Sequence, residues 1–397
     1  MARAVWVFLL ACSLGMQSFA APDPWVATWG CGAQLTEPHN LPPLPLARHT
    51  LRQFVHVTLG GQRLRVQFSN AYGTSPVTIQ IAHVALSAGR LGNGSIDPAT
   101  DKALTFHGAP GVNLPPGQTV WSDPLNFNLP ALTNLAITVY LGTISATTIT
   151  GHPGSRTTSF IVPGNAVSAA NLTDAATTPH WYLITGVDVW APPAGKAVVV
   201  LGDSLTDGRG STTDGNDRWP DDLARRLLTN SATTNVAVVN MGIGGNGIFG
   251  GLGPAAVKRF DRDVLDQSGV RWVLVFEGVN DIGAARQAGM ATNLIAAYRG
   301  FARQAHARGL QIYGATLTPF GGSFYDSPLH EAARQTVNAW LRTNTIYDGV
   351  IDFDVAARDP AAPARLRPAY DSGDHLHLNP AGYQALANAV DLKRFAP

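Results

Sequence analysis

Hydrophobic and polar positions follow two different patterns along the chain, and the pattern changes near residue 190. From about Trp25 to Trp190, short apolar runs follow one another with turn residues between them, and no long amphipathic helix is apparent. This spacing is typical of an all-β sandwich or jelly-roll-like domain. Within it, Arg52 to Asn70 forms two strand-like runs separated by Gly60-Gly61, which predicts a β-hairpin.

Beyond residue 196, apolar runs alternate with segments of helical length, starting with AVVVLG and ending with VIDFD. That alternation predicts a parallel sheet covered by helices on both faces, an α/β/α arrangement. The predicted organisation is a signal peptide at 1–20, a β-sandwich domain at 21–190, a linker at 191–196 and an α/β domain at 197–397.

The first twenty residues have the pattern of an export signal. Arg3 provides the positive charge, Ala4 to Ala11 the apolar core, and SFA a cleavage site after Ala20, which predicts a secreted protein. Lipoprotein anchoring at Cys12 is an alternative. Cleavage after Ala20 would leave Cys31 as the one remaining thiol, which excludes an intrachain disulfide.

Composition narrows the possible partners. Charged residues make up 14% of the chain and the net charge is +1. A chain with so little excess positive charge has no basic field to attract nucleic acid or an anionic membrane surface. The apolar core of the signal is too short to span a bilayer, and no later run could do so.

Candidate catalytic groups follow the predicted strands, at the sheet edge where such groups gather. Ser204 lies in the turn after the first strand and Asn280 after the third. A serine there offers a hydroxyl at the sheet edge, and an asparagine amide can donate to an oxyanion. Each also has a structural explanation, Ser204 as a helix N-cap and Asn280 as an Asx-turn or cap.

The glycine-rich stretch after the second strand, VVNMGIGGNGIFGG, satisfies the dinucleotide fingerprint G-x-G-x-x-G through Gly242, Gly244 and Gly247. A dinucleotide site also needs an acid at the end of the following strand. Asp261 and Asp263 are the acids at about the right spacing along the chain, but they fall in a helical or loop pattern and not at the end of a strand. The sequence therefore does not support a dinucleotide site.

Near the C-terminus, Asp374 and His377 are three residues apart, before a helix that starts about Pro380. A carboxylate at that spacing can hold one ring nitrogen of the histidine while the other faces outward, as a serine nucleophile requires. Two alternatives remain: a metal site that includes His375, for which no further ligand cluster is visible, and a surface turn without chemistry.

Four short blocks in the second half resemble those of the SGNH hydrolases, also called the GDSL esterase/lipase family: GDSL, NMGIGGN, GVND and DHLH. The resemblance covers about 197–397, and the first half is similar to the β domain that precedes the hydrolase in some secreted members. It implies Ser204 as nucleophile and a triad completed by Asp374 and His377. The implied oxyanion donors are the backbone N–H groups of Ser204 and Gly245, with Gly245 preferred to Gly244, and the Asn280 side chain.

The function that these residues and this resemblance imply is a secreted serine esterase that forms an acyl-enzyme and needs no metal or organic cofactor. The expected substrate is a small-molecule or polysaccharide ester, with acylated carbohydrate favoured by analogy. A lipase or arylesterase is an alternative within the hydrolases. An alternative of another class is a carbohydrate-binding module whose hydrolase domain is inert. No nucleic-acid partner and no membrane span are expected.

Overall fold

The computed structural model describes residue 1, residues 25–191 and residues 195–396. The predicted export signal, with its cleavage site after Ala20 and the alternative at Cys12, therefore lies outside the described residues, as do 192–194 of the predicted linker.

The first half is built from antiparallel strands, which confirms the prediction of a β domain. In the described residues its strands are β1 (Trp25–Gly30), β2 (Gln34–Leu35), β3 (His49–Val57), β4 (Gly61–Ser69), β5 (Val77–Leu86), β6 (Lys102–Ala103), β7 (Val112–Leu114), β8 (Thr119–Trp121), β9 (Leu125–Leu129), β10 (Thr133–Leu141), β11 (Thr150–His152), β12 (Ser159–Pro163), β13 (Ala176–Thr178), β14 (Trp181–Tyr182) and β15 (Ile184–Trp190). Two short 3-10 helices accompany them, Pro38–Asn40 and Pro98–Thr100.

These strands form three sheets. One has the order β1-β15-β4-β8, with β9 also on β4; the second has the order β13-β12-β3-β10-β5-β6, with β7 also on β5. A small third sheet has the order β14-β11-β2. Strands of the two large sheets, such as β3 and β4, contribute fully buried side chains including Leu51 and Leu64 to the core.

The predicted hairpin at Gly60-Gly61 is wrong. Strand β3 pairs with β10 and β12, whereas β4 pairs with β15, β8 and β9 in the other large sheet. The segment between them crosses from one sheet to the other, and Thr58 fixes that crossing by hydrogen bonds to Thr28 of β1 and Val238 of the second half. The glycine pair signals a turn, but the burial of β3 decides which strands become its partners.

The second half contains a five-stranded parallel sheet with the order β17-β16-β18-β19-β20, as the sequence predicts. Its strands are β16 (Lys196–Gly202), β17 (Val236–Gly242), β18 (Val270–Phe276), β19 (Gln311–Ala315) and β20 (Gly349–Ile351). The α-helices are α1 (Ser204–Asp207), α2 (Trp219–Thr229), α3 (Ala256–Phe260), α4 (Val279–Ala284), α5 (Met290–Ala307), α6 (Pro328–Thr343), α7 (Phe353–Ala357) and α8 (Pro380–Asn388). A π-helical turn at Asp261–Leu265 continues α3, and 3-10 helices lie at Pro368–Tyr370 and Leu392–Phe395.

The β domain packs directly against β17, the edge strand of the parallel sheet. Gly30 of β1 lies so close to it that a Cβ there would come within 2.5 Å of the Met241 side chain. The buried apolar side chains of the two halves form one continuous cluster. Packing against another element protects an exposed sheet edge from unwanted pairing, and here it also brings the β domain beside the carboxyl ends of the parallel strands.

Candidate active site

Ser204 is the first residue of α1, and Asp203 alone separates it from the end of β16. The N-cap of that helix is Asp203, whose carboxylate accepts a hydrogen bond from the Leu205 N–H at 2.9 Å. The structure therefore gives the capping role to Asp203, and the Ser204 hydroxyl is not used as a cap. The helix ends after one turn because Gly208 adopts a left-handed conformation, with φ of 97°.

His377 lies between Ser204 and Asp374. Its Nε2 atom is 2.8 Å from Ser204 Oγ, and its Nδ1 atom is 2.7 Å from Asp374 Oδ2. Because the carboxylate can only accept, Nδ1 carries the proton and the Nε2 lone pair faces the serine hydroxyl. The other oxygen, Asp374 Oδ1, accepts the backbone N–H groups of Leu376 and His377 at 3.1 and 2.8 Å, which fixes the loop.

The environment keeps this histidine neutral and this aspartate ionised. Burial lowers the pKa of His377 below its usual value; Asp374 raises it, and the nearby positive charges of Arg209 and Arg156 lower it. Burial would raise the pKa of Asp374, but hydrogen bonds from the His377 backbone and ring outweigh it and bring that pKa to about 2. At neutral pH the imidazole can therefore accept a proton while the carboxylate stays charged.

The glycine-rich loop after β17 presents one unused N–H group to the site. The N–H of Gly244 donates to Asp207 Oδ2 at 2.9 Å, whereas that of Gly245 donates to no described residue. Gly245 has φ of 71°, a conformation that favours glycine. Of the two glycines, the geometry thus favours Gly245 as an oxyanion donor.

Asn280 lies near the start of α4, and its side-chain amide is held at both ends. Its Nδ2 donates to the Asn246 carbonyl at 2.6 Å, and its Oδ1 accepts the Tyr325 hydroxyl at 2.9 Å. One N–H of Nδ2 remains for a ligand. The next residue, Asp281, accepts the backbone N–H groups of Ile248 and Phe249, so the GVND segment also holds the glycine-rich loop in place.

Sequence reasoning missed several residues that position this site. Tyr325 orients Asn280 from a loop before α6. Arg259, fully buried on α3, donates to the carbonyls of Gly202 and Met241 and to Asn246 Oδ1, and so ties the ends of β16 and β17 together. Neither residue stands in a recognisable motif, because each reaches the site from a helix or loop rather than from a strand end.

The buried acids beneath Ser204 have unusual protonation. Burial raises the pKa of Asp203 to about 7, although the Leu205 N–H and Arg259 lower it. Burial also raises the pKa of Glu277, and the neighbouring Asp203 raises it further. The guanidinium of Arg259, 3.5 Å from a carboxylate oxygen of the fully buried Glu277, lowers the pKa of Glu277 but does not outweigh burial.

Ser204, His377, Gly245 and Asn280 all line one cavity of about 500 Å³. The β domain contributes part of its wall, with Glu37, Asn40, Arg156 and His180 among the lining residues. Two apolar residues of the second half, Leu252 and Phe324, also line it and are 51% and 72% exposed. The cavity is thus polar on the side of the β domain and carries an apolar rim elsewhere.

The structure also shows where the residues of the alternative metal and dinucleotide sites lie. His375 binds Asp371 and not Asp374, and in the described ranges no group of three or more His, Cys, Asp or Glu side chains could hold a metal ion. Asp261 and Asp263 belong to the π-helical turn rather than to the end of a strand, and Asp263 accepts hydrogen bonds from Arg259 and Arg262. Cys31 is buried and free.

The fold and these strand-end groups define a hydrolase domain of the GDSL type. Residues 200–385 match the model of the GDSL-like lipase/acylhydrolase family, and this part of the chain is a domain of that family. A comparison with curated proteins finds no match.

Solved structures similar to this chain include an acetyl xylan esterase, AlAXEase (20% identity, TM-score 0.38, 49% of this chain and 96% of the other). They also include the acetylxylan esterase Axe2 of Geobacillus stearothermophilus (22%, 0.38, 49% and 92%) and a GDSL-like lipase of Bacteroides thetaiotaomicron (19%, 0.35, 49% and 84%). Among the described residues, no helix is both long and apolar enough to cross a membrane.

Proposed function

We propose that this protein hydrolyses carboxylic esters through an acyl-enzyme on Ser204. The observation that carries the proposal is the continuous hydrogen-bonded series from Ser204 Oγ through the His377 ring to Asp374, with distances of 2.8 and 2.7 Å. A neutral histidine within hydrogen-bond distance of a serine hydroxyl is the arrangement that general-base activation of a nucleophile requires. Export, as the first twenty residues predict, would place this activity outside the cytoplasm.

In the first half-reaction, His377 Nε2 takes the hydroxyl proton as Ser204 Oγ attacks the ester carbonyl carbon. The negative charge that develops on the carbonyl oxygen is stabilised by the Ser204 and Gly245 N–H groups and by the remaining N–H of Asn280. Each such donor typically contributes about 3–4 kcal/mol of transition-state stabilisation. Collapse of the tetrahedral intermediate expels the alcohol, which takes the proton from the imidazolium.

In the second half-reaction, the neutral His377 takes a proton from water, which attacks the acyl carbon. The same three donors stabilise the second oxyanion. The imidazolium then returns its proton to Ser204 Oγ as the carboxylic acid leaves. Asp374 remains ionised throughout, and its low pKa of about 2 suits it to stabilise the imidazolium in both steps.

For the substrate, we propose an ester with a hydrophilic alcohol portion, such as an acylated carbohydrate. The support is the polar wall that the β domain adds to the cavity, which includes Glu37, Asn40 and Arg156. Hydroxyl-rich groups can hydrogen-bond to such a wall. A long acyl chain placed against it would leave the polar atoms of the wall without hydrogen-bond partners.

A second candidate is a lipase or arylesterase. The exposed apolar side chains of Leu252 and Phe324 on the cavity rim favour it, because they can contact an aryl or alkyl group of the substrate. A panel of acetylated sugars, aryl acetates and longer acyl esters separates the two candidates by their relative kcat/KM.

The test of the proposed function is the Ser204→Ala variant, assayed with 4-nitrophenyl acetate and a fluorophosphonate probe. We expect loss of turnover and of labelling while circular dichroism stays unchanged. Ser168→Ala, which alters an exposed serine of the β domain, is the matched control and should keep both. A folded native protein that neither turns over esters nor takes the label would instead support the carbohydrate-binding module.

A further inference from the structure

We propose that Arg156 and Arg209 form a subsite of the active cavity that binds a carboxylate group carried by the ester substrate. This inference rests on the proposed function and names a feature of its substrate. Both arginines line the same cavity as Ser204 and His377, one from each half of the chain.

Arg209 is held beside the nucleophile by its backbone. Its N–H donates to the Ser204 carbonyl at 2.9 Å, directly after the left-handed Gly208, and its own carbonyl accepts the Tyr383 hydroxyl at 2.6 Å. The backbone of Arg209 is therefore held in place by α1 and α8, while the residue is exposed to solvent.

Arg156 belongs to a loop of the β domain that is fastened to the hydrolase half. Its carbonyl accepts the Asp214 N–H at 2.8 Å, and the Asp214 carboxylate in turn binds the backbone and hydroxyl of Thr158 at 2.8 and 2.7 Å. Both Arg156 and Asp214 have positive φ, 53° and 61°. Such a backbone conformation persists in a residue other than glycine only where its surroundings enforce it.

Within residues 25–191 and 195–396, neither the Arg156 nor the Arg209 guanidinium has a hydrogen bond or an ion pair. The nearby Arg218 provides a contrast, since it donates to the carbonyls of Asp207 and Ser155 and pairs with Asp221. Two cations that are positioned by their backbones and lack a protein partner suit a ligand with negative charge, and a guanidinium matches a carboxylate in shape.

The carboxylates that also line the cavity, Glu37 and Asp207, are hydrogen-bonded to groups other than these two arginines. Glu37 accepts hydrogen bonds from Gln34 and Asn40, and neither arginine binds it. The Nδ1 atom of His180 is bonded to the Pro153 carbonyl, and burial lowers the pKa of this histidine, so its ring is neutral at neutral pH.

The two carboxylate oxygens of Asp207 are hydrogen-bonded to the His152 ring and to the Gly244 N–H. The positive charges of both arginines also lower the pKa of His377.

The carboxylate could belong to the acyl portion or to the alcohol portion of the ester, and two pairs of substrates distinguish these sources. The acyl pair is 4-nitrophenyl hydrogen glutarate against 4-nitrophenyl valerate. The alcohol pair is acetylated methyl glucuronoside against acetylated methyl glucoside, and hydrolysis of this pair is measured by the release of acetate. All four are assayed near pH 8, where His377 is neutral, and the spontaneous rates are subtracted.

We expect the native protein to prefer the carboxylate member of at least one pair by about tenfold in kcat/KM, since a hydrogen bond to a charged group is of that strength. Arg156→Gln and Arg209→Gln should each reduce this ratio about threefold, and the double variant should bring it near one. Added salt should also reduce it, because the contact is ionic and partly exposed. Arg156→Lys and Arg209→Lys should keep more of the preference than the glutamine variants.

Arg303→Gln is the matched control, because it removes an exposed arginine on α5 and should leave every ratio as in the native protein. Turnover of the neutral esters without preference in either pair would overturn the subsite while the proposed function stands. A preference that persists in the double variant would overturn it as well. Failure to hydrolyse any of the four esters, together with absence of fluorophosphonate labelling, would contradict both the subsite and the proposed function.

Discussion

His152 of the β domain and Asp207 of the hydrolase half are in direct contact, with 2.9 Å between Nε2 and Oδ1, and both are almost fully buried. The other ring nitrogen, Nδ1, lies 2.9 Å from the Gly32 carbonyl, which can only accept a hydrogen bond. Nδ1 therefore carries a proton, and Nε2 shares a second one with the carboxylate. The other oxygen of Asp207 accepts the Gly244 N–H, so the β domain is linked through one carboxylate to the loop that carries Gly245.

The first prediction concerns this link. In His152→Ala the Asp207 carboxylate loses its buried partner, and we expect a loss of about 3 kcal/mol in the free energy of unfolding. We also expect a fall in kcat larger than the change in KM, because Asp207, which holds the Gly244–Gly245 loop, is no longer fixed in place by His152. Urea denaturation and steady-state kinetics measure the two effects.

The matched control is His306→Ala, which breaks a histidine–aspartate pair of similar length, 3.0 Å, on the surface. Exposed pairs contribute little, so its stability should change by less than about 1 kcal/mol. Equal and small effects of the two variants would show that the buried pair does not stabilise the protein.

Asn280→Ala should lower kcat about a hundredfold and leave KM within a few-fold of its native value. The amide is proposed to stabilise a charge that exists mainly in the transition state, and such interactions affect kcat rather than substrate binding. Ester hydrolysis over a range of substrate concentrations measures both constants. A rise in KM alone would contradict the proposed role of Asn280.

Tyr325→Phe tests whether the tyrosine acts through Asn280. Its hydroxyl holds Asn280 Oδ1 at 2.9 Å, and without it the amide can rotate away from the oxyanion. We expect a roughly tenfold lower kcat in the native background. In the Asn280→Ala background the same change should have almost no effect, because residues that act as a unit are not additive. Equal effects in the two backgrounds would mean that Tyr325 acts independently of Asn280.

The fold class could be predicted because apolar periodicity marks strands and helices directly. The grouping of Ser204 and Asn280 could also be anticipated, since parallel strands end at the same edge of a sheet. His377 follows no strand and could be predicted from its spacing to Asp374 and from the resemblance of the DHLH block. The hairpin prediction failed because a turn signal is local, whereas Thr58 and the burial of β3 select partners far along the chain. Tyr325 could not be found in the sequence, because it reaches the site through a loop whose course depends on tertiary packing.

The pH dependence of kcat/KM should reflect the His377 environment. Burial lowers the pKa of this histidine, and Arg209 and Arg156 lower it further against the opposing effect of Asp374. The neutral ring is the active form, so activity is lost as pH falls through this pKa, and the acidic limb should lie below about 6.5. Arg209→Gln should move the limb upward, and Arg303→Gln should not. A limb above the usual histidine range would contradict the assigned environment.

The last prediction concerns Asp203, whose pKa is raised to about 7 chiefly by burial. In the unfolded chain this group titrates near 3.9, so between these values the folded state retains a proton that the unfolded state has released. Stability conferred by that proton is complete below about pH 4 and is lost as pH rises to 7. In Asp203→Asn, which keeps an oxygen to accept the Leu205 N–H, this dependence should be absent. Urea midpoints from pH 4.5 to 8 measure the difference between the two proteins, and parallel curves would show that Asp203 is ionised throughout in the folded state.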